Sequence, residues 1–255
     1  MSDQRIYQEP RLIEHVEDCY FYHTMELPGL GVRKGHWDLR NRFEDYIGGV
    51  QVSGKSVLDV GTATGFLSFE AERFGAREVV SFDMSDVRQQ TFVPFKNRPY
   101  REDYQSWVVS YAATIEKWKN AYWLCHRLLN SKAKVFYGDI FTLPAELGEF
   151  EVVIVGAVLE HLRDPIGALT SIAHVVRERL VLITPLIESD EKFARFEPAV
   201  DRPGDDFTWW TYSIGLYREL LGILGFEIEK ISRAEYFHEY ENRMEERSTL
   251  VAVKI

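Results

Sequence analysis

The feature that most constrains the fold is an alternation, from Ser56 onward, of short β-branched runs with longer amphipathic segments. A parallel sheet covered by helices on both faces produces this pattern, because every strand is buried and every connection returns through a helix. The predicted strands span 56–60, 78–82, 134–137, 151–155 and 180–184. The predicted helices span 66–74, 165–176 and 214–224. The chain is therefore expected to form an α/β domain.

Two further strand-like runs, 226–232 and 249–254, are separated by a charged loop with no helical pattern. Strands joined without a crossover helix pair antiparallel, so these runs predict a terminal hairpin. The sheet then has seven strands, of which one is reversed. We expect a domain at 54–255 that carries an insertion at 87–117, after the second strand. It is preceded by an N-terminal extension at 1–53 that acts as a lid.

The charge balance bears on the class of partner. The 255 residues include 30 Lys and Arg against 40 Asp and Glu, for a formal net charge of −10. Such a surface repels polyphosphate, so a small-molecule acceptor is favoured over nucleic acid. The basic residues from which a nucleic-acid groove would have to be built are Arg88, Lys96, Arg98, Arg101, Lys117, Lys119 and Arg127.

Cysteine usage and the N-terminus bear on compartment and metal content. Cys19 and Cys125 are far apart in sequence, which indicates neither a disulfide framework nor a thiolate metal site. The polar N-terminus lacks the apolar core of a signal peptide, and no apolar run is long enough to span a membrane. We expect a cytoplasmic protein without a bound metal, either a monomer or a homodimer.

The most informative stretch is VLDVGTATGF at 57–66, an apolar strand followed by a loop of small residues that opens a helix. Glycines let the backbone approach a ligand closely, and free amides at a helix start favour a carboxylate. Asp59, before the first glycine, can face an ammonium group. Together these features predict a site for an amino acid. The spacing G-x-A-x-G differs from the G-x-G-x-x-G of dinucleotide-binding loops.

Two more carboxylates follow strands in the same way. Asp83 ends the second strand about twenty residues beyond the glycine loop, a spacing that suits a carboxylate binding the two ribose hydroxyls. Asp139 follows the third strand, where it can accept from an adenine amino group while Ile140 covers the ring. An amino acid, a ribose and an adenine together describe S-adenosylmethionine (SAM).

Four segments, VLDVGTATGF, SFDMS, YGDIF and VVIVGAVLEHLRDP, resemble in order and spacing the motifs of class I SAM-dependent methyltransferases. The resemblance covers 54–255 and implies a Rossmann-like, mostly parallel seven-stranded sheet with one antiparallel strand. One departure is Ala63, which stands where the family usually has the middle glycine of the loop. The donor contacts that the resemblance implies are Asp59, Gly61, Thr62, Gly65, Asp83, Met84, Asp139, Ile140 and Ala157.

The candidate acceptor residues follow from their expected position near the transferred methyl group. Glu160 and His161 come after the fourth strand, and either can bind substrate or accept its proton, although a purely structural histidine is equally compatible with the pattern. The candidates for the lid and for an aromatic wall, each also explicable by ordinary packing, are His23, His36, Trp37, Arg40, Trp209, Trp210 and Tyr212.

The expected reaction is an SN2 transfer of the methyl group to an oxygen, nitrogen or carbon nucleophile, with S-adenosylhomocysteine (SAH) as product. Two alternatives stay open. The segments YHTMELP, GHWDLR and FTWWT resemble a subgroup of tRNA wobble-uridine methyl or carboxymethyl transferases. Ala63 in the glycine loop also leaves room for a non-catalytic protein that binds SAM or SAH.

Overall fold

A computed structural model describes residues 6–255, and its central feature is an eight-stranded sheet with helices on both faces. The first five residues of the predicted extension lie outside the described residues. The strands are β1 (Met25–Leu27), β2 (Gly31–Arg33), β3 (Trp37–Asp38), β4 (Ser56–Val60), β5 (Glu78–Met84), β6 (Lys134–Gly138), β7 (Phe150–Gly156), β8 (Val176–Ile183), β9 (Leu186–Ile187), β10 (Ala194–Phe196), β11 (Trp210–Ser213), β12 (Phe226–His238) and β13 (Arg243–Lys254). The helices are α1 (Phe43–Tyr46), α2 (Phe66–Arg73), α3 (Pro99–Glu102), α4 (Tyr104–Leu128), α5 (Pro165–Ala173) and α6 (Ile214–Ile223). Single 3₁₀ turns span Val16–Asp18, Val87–Gln89, Ala145–Leu147 and Leu159–His161.

The strand order of the large sheet is β3-β12-β13-β8-β7-β4-β5-β6. Strands β4 to β8 run parallel to one another, and β13 pairs antiparallel with both β8 and β12. The mostly parallel sheet with its reversed strand is therefore confirmed. The sequence pattern did not predict β3, a two-residue strand of the extension that pairs antiparallel with β12 at the edge. No helix within residues 6–255 is long and apolar enough to cross a membrane.

The hydrophobic core lies on both faces of the sheet, as the alternation of side chains along each strand requires. Val57 of β4 and Val152 of β7 belong to one buried cluster, whereas Leu58 and Val153 belong to the cluster on the opposite face. Every residue of β4 is buried, which explains why the strand is apolar after Ser56 except for Asp59.

Two predicted boundaries were wrong. The helix predicted at 165–176 ends at Ala173, and β8 already begins at Val176, four residues before the predicted start at 180. The β-branched pair Val175 and Val176 ends the helix because such side chains favour an extended backbone. The terminal hairpin is also longer than predicted, because its outer part is a two-stranded ribbon of mostly charged residues that carries little apolar signal.

The long helix α4 is the crossover between β5 and β6. Its second half buries Ala121, Tyr122 and Trp123 against the sheet, so it belongs to the core of the domain. The predicted insertion 87–117 ends inside this helix, and only the part before Asp103 departs from an ordinary strand-helix-strand connection.

The N-terminal extension packs as part of the domain. Phe21, Met25 and Leu27 are buried in the same cluster as Val57 of the central strand β4. The hydroxyl of Thr249 in β13 donates to the Tyr46 carbonyl oxygen at 2.9 Å. The extension is thus held by contacts with both the centre and the reversed strand of the sheet.

Candidate active site

The glycine loop between β4 and α2 turns tightly against the ends of two neighbouring strands. Gly61 and Gly65 adopt φ angles of 78° and 87°. A Cβ on Gly61 would lie 2.4 Å from Cγ2 of Val158, just beyond β7, so a side chain there would have to displace that segment. The amides of Gly61 and Thr62 both donate to the Phe82 carbonyl oxygen, at 2.9 and 3.0 Å. The loop is therefore fixed to β5.

Ala63 shares the left-handed backbone that glycine favours. Its φ is 49°, a conformation that costs an alanine about 1–2 kcal/mol. Its amide donates to Oδ2 of Asp83 at 2.8 Å, and this contact holds the strained conformation in place. The methyl group at this position thus does not prevent the loop from making its bend.

Asp83 is half-buried at the end of β5 and accepts two backbone hydrogen bonds. Besides the Ala63 amide on Oδ2, the amide of Met84 donates to Oδ1 at 2.7 Å. Burial raises the pKa of this carboxyl group, and the two amides partly counteract the rise. Each oxygen of an ionised carboxylate retains further acceptor capacity, so a pair of vicinal hydroxyls can still bind here.

Asp59 is completely buried in β4 and stands at the end of a chain of hydroxyl groups. Its Oδ2 atom accepts from Oγ1 of Thr62 at 2.8 Å and from Oγ of Ser68 at 2.7 Å. Oγ of Ser68 lies 2.6 Å from Oγ of Ser81, which lies 2.8 Å from the Tyr122 hydroxyl. Because Ser68 gives its only proton to Asp59, Ser81 donates to Ser68 and Tyr122 donates to Ser81. Every hydroxyl of this chain therefore donates its hydrogen bond in the direction of Asp59.

The second oxygen of this carboxylate, Oδ1 of Asp59, is buried without a hydrogen-bond partner among the described residues. Burial raises the pKa of Asp59 to about 6, against the effect of the Ser68 and Thr62 hydroxyls. An orphaned buried oxygen beside a glycine loop requires a donor, and a ligand ammonium group is a donor of the correct charge. Thr62, predicted to contact the ligand itself, uses its hydroxyl to orient Asp59.

The third carboxylate, that of Asp139, lies at the same carboxyl end of the parallel strands. Parallel pairing of β5 with β6 sets Asp83 opposite Tyr137 and Met84 opposite Gly138, so Asp139 directly follows β6 at the same end of the sheet as Asp83. Oδ1 of Asp139 accepts from the Phe141 amide at 3.0 Å, and Ile140 is half-buried. The fourth predicted segment, after β7, contributes Ala157, which has a φ of 52° and donates its amide to the Ile183 carbonyl oxygen at 2.9 Å.

Glu160 and His161 lie in the 3₁₀ turn that follows β7. The Nδ1 atom of His161 is 3.0 Å from the Phe207 carbonyl oxygen, which can only accept, so Nδ1 carries a proton and donates this hydrogen bond. The amide of Trp209 donates to the Glu160 carbonyl oxygen at 2.7 Å. The Glu160 side chain is only 6% exposed.

Two of the predicted lid residues face the site or lie beside it. His23 is buried, and its amide donates to Oγ1 of Thr64 in the glycine loop at 3.1 Å. Burial lowers the pKa of His23 to about 3, so its ring is neutral at physiological pH. His36 lies one layer further out, where Nε2 is 2.7 Å from the Tyr20 hydroxyl and burial lowers its pKa to about 4.

The other two predicted lid residues are engaged elsewhere. The Trp37 ring lies under the guanidinium of Arg247, 4.4 Å from its carbon to the ring centroid, at the edge of the sheet. Arg40 forms a two-point ion pair with Asp38, at 2.9 and 2.7 Å. The structure therefore brings His23 to the glycine loop but does not bring Arg40 there.

The three residues predicted to form an aromatic wall do not lie together. Nε1 of Trp209 donates to the Thr91 carbonyl oxygen at 3.0 Å, and Nε1 of Trp210 donates to the Arg163 carbonyl oxygen at 3.1 Å. These two rings thus tie β11 to the loops after β5 and β7. Tyr212 instead packs inward, in the core cluster beneath the strands.

An aromatic cap over the carboxyl ends of the parallel strands was not predicted from the sequence. Phe92, in the segment after β5, contacts the rings of Tyr100, Trp107, Tyr111 and Phe207, with centroid distances from 4.9 to 5.5 Å. The buried carboxylate of Asp206 stabilises the cap. Its Oδ2 atom accepts from Nε of Arg98 at 2.7 Å and from the Tyr100 hydroxyl at 3.2 Å.

The hydroxyl chain was also missed, although one signal for it was present. Ser81 is a polar residue inside the otherwise apolar part of strand β5, and such a residue needs a buried partner. The partners come from α2 and α4, and the sequence alone did not give the packing of those helices on the sheet.

An open groove of about 870 Å³ lies elsewhere, between the ends of α2 and α4 and the amino ends of β5 and β6, where Glu78 and Lys134 line it. Ligands of open α/β sheets bind beyond the carboxyl ends of the strands, so this groove is not the candidate site. Within residues 6–255, no group of three or more His, Cys, Asp or Glu side chains is arranged to hold a metal ion.

Comparison with known proteins found a matching family model and solved structures that resemble the chain. A family model described as a methyltransferase domain matches residues 36–229. The magnesium protoporphyrin IX methyltransferase of Synechocystis PCC 6803, solved with bound SAM, has 18% identity and a TM-score of 0.52 over 84% of this chain and 76% of that one. A putative RNA methyltransferase from Pyrococcus horikoshii has 15% identity and a TM-score of 0.51, over 84% and 85% of the two chains. The N-terminal domain of EvdMO1, solved in the presence of SAH and D-fucose, has 17% identity and a TM-score of 0.52, over 93% and 92%. At these identities the structures establish a shared fold.

Proposed function

The chain belongs to the methyltransferase-domain family, and from that premise we propose that it transfers the methyl group of SAM to a small-molecule acceptor. The observation that carries the proposal is the convergence of Asp59, Asp83 and Asp139 at the carboxyl ends of three adjacent parallel strands. The ends of such strands are where open α/β sheets bind their ligands.

The residues present fit the three parts of the donor. The unpartnered Oδ1 of Asp59 would accept from the ammonium group, and Asp83 would accept from the ribose hydroxyls. Asp139 and Ile140 would flank the adenine. When bound, SAM supplies a sulfonium methyl group that is open to SN2 displacement, and SAH is the product. That the Synechocystis neighbour was solved with SAM and EvdMO1 in the presence of SAH supports this assignment.

The acceptor side would contribute alignment, exclusion of water and a place for a proton. The aromatic cap around Phe92 covers the edge of the sheet, and desolvation of this kind favours displacement at a sulfonium methyl group. The Phe207 carbonyl fixes the orientation of the His161 ring through Nδ1, so Nε2 is the ring nitrogen that would take up a proton. His161 is therefore our candidate general base, required only if the acceptor is protonated.

The ion pairs of the described residues favour a small acceptor over tRNA. Of the basic residues from which a nucleic-acid groove would be built, Arg88 is paired with Asp86, Arg98 with Asp206 and Lys119 with Glu116. Neutralised side chains attract phosphates weakly, and the net charge of −10 adds repulsion. Because the Pyrococcus neighbour is described as a putative RNA methyltransferase, the test below also covers the tRNA alternative.

The test uses SAM with a labelled methyl group and a cell extract, with and without ribonuclease, after calorimetric titration of the protein with SAM. We expect donor binding and a labelled product of low molecular mass that ribonuclease does not alter. Label in a ribonuclease-sensitive polymer would support the tRNA alternative instead. Donor binding with no labelled product would support a non-catalytic SAM-binding protein, and no donor binding would refute the proposal.

A further inference from the structure

The structure carries a buried negative charge on the acceptor side that the donor contacts do not explain. Glu160 is 6% exposed, and its Oε2 atom has no hydrogen-bond partner in the part of the chain that the structure describes. It follows β7, the strand next to β4 on the side away from Asp83. The carboxylate thus stands across the glycine loop from the ribose and adenine contacts.

The charge of this carboxylate acts on three buried tyrosines. Burial raises the pKa values of Tyr22, Tyr46 and Tyr217, and the nearby Glu160 charge raises them further. Tyr46 stands beside the end of β7, since a Cβ on Gly156 would be 3.8 Å from its ring. The three tyrosines belong to three separate parts of the chain, namely the extension, α1 and α6.

The described residues supply no counter-ion for this carboxylate. Arg247, a basic group that acts on Tyr22 and Tyr46, is paired with Glu245 at 3.0 Å and lies over the Trp37 ring. His23, which also approaches this region, is neutral because burial lowers its pKa to about 3. A carboxylate this deeply buried without a partner is energetically costly, and a ligand that neutralises it recovers that cost.

The charge of the acceptor follows from this arrangement. A phosphate or carboxylate on the acceptor would place a second negative charge beside a buried one, which is strongly unfavourable. A protonated amine would donate to Oε2 and would also contact tyrosine rings, whose faces attract cations. On the basis of the proposed function, we propose that the acceptor is a small amine whose nitrogen binds Glu160.

The test separates a metabolite extract on a cation exchanger at pH 7 into cationic, neutral and anionic fractions, and incubates each with methyl-labelled SAM. We expect the wild type to label a compound of the cationic fraction, and Glu160→Gln to label it at least about tenfold more slowly, since a hydrogen bond to a charge is lost. The matched control is Glu149→Gln, an exposed glutamate at the opposite end of β7, which should label it at the wild-type rate.

Several outcomes would overturn the inference. They are label confined to the neutral or anionic fraction, label in no fraction, and an unchanged rate for Glu160→Gln. Calorimetry with SAM separates this failure from that of the proposed function, because an intact donor site keeps its affinity in both variants. A wild type that does not bind SAM, or that binds SAM and labels no fraction, would refute both. Thermal unfolding checks that Glu160→Gln is folded, and removal of the buried charge should leave it at least as stable as the wild type.

Discussion

Replacing Asp59 with asparagine is expected to stabilise the ligand-free protein and to weaken donor binding. The side chain is completely buried, and Oδ1 has no partner within residues 6–255, so an ionised carboxylate is held there at a cost. Asparagine has nearly the same shape, and its carbonyl oxygen can still accept from Thr62 and Ser68. The substitution therefore removes the buried charge while keeping the hydroxyl chain.

The magnitude follows from the pKa of Asp59, which burial raises from 3.8 to about 6. The folded protein keeps this proton up to about pH 6, whereas the unfolded chain loses it near pH 4, so the wild type loses stability as pH rises between these values. A shift of two units corresponds to about 3 kcal/mol. Allowing about 1 kcal/mol for weaker hydrogen bonds to the amide, the variant should be about 2 kcal/mol more stable above pH 6.

The assay is urea unfolding followed by tryptophan fluorescence at pH 4.5 and pH 7.5, together with calorimetric titration with SAM. The advantage of Asp59→Asn should be much larger at pH 7.5, and its affinity for SAM should be about 10- to 100-fold lower, because a charge-assisted hydrogen bond to the ammonium group is lost. Asp139→Asn, in a half-buried turn, is the control and should change stability little. A variant less stable than the wild type at pH 7.5, or an advantage independent of pH, would refute the reasoning.

Three further predictions concern the same edge of the sheet. Asp83→Ala should weaken SAM binding about 100-fold in calorimetry, because the ribose contact is lost and the Ala63 amide loses its acceptor; unchanged affinity would contradict the assignment. Ala63→Gly should raise the melting temperature by a few degrees, since about 1 kcal/mol of left-handed strain is relieved, and a fall would show that this strain is absent. Tyr122→Phe should lower stability by about 1 kcal/mol in urea and reduce SAM affinity severalfold, because Ser81 loses its donor. Tyr212→Phe is its control, and an equal loss of SAM affinity there would rule out a specific role for the hydroxyl chain.

Sequence reasoning succeeded where the signal is local. The predicted strand 56–60 coincides with β4, and the motif residues Asp59 and Asp83 lie at the same edge because parallel strands end together. A strand that is buried on both faces is recognisable as a run of consecutive apolar residues. A glycine loop is likewise recognisable from consecutive small residues. Those features required no knowledge of how distant segments pack.

What could not be predicted depends on contacts between distant positions. The Arg98 to Asp206 pair joins residues 108 positions apart, and the Ser81 to Tyr122 contact needs the packing of α4 on β5. Arg40, a plausible lid residue by position, finds its carboxylate two residues away instead. For Arg98 and Ser81 the partner was decided by the fold, whereas Arg40 pairs with a near neighbour in sequence that position alone did not single out.

The pairing of β3 with β12 has a consequence for synthesis of the chain. The extension's partners in the sheet emerge from the ribosome long after the extension itself, and the Tyr46 to Thr249 contact spans 203 positions. Until those partners are made, Phe21 and Met25 have no complete site in which to bury, which leaves the nascent chain open to chaperones and proteases. Docking of this segment is therefore completed late in folding, and a ribosome stalled before β12 would hold a chain in which β3 still lacks its pairing with β12.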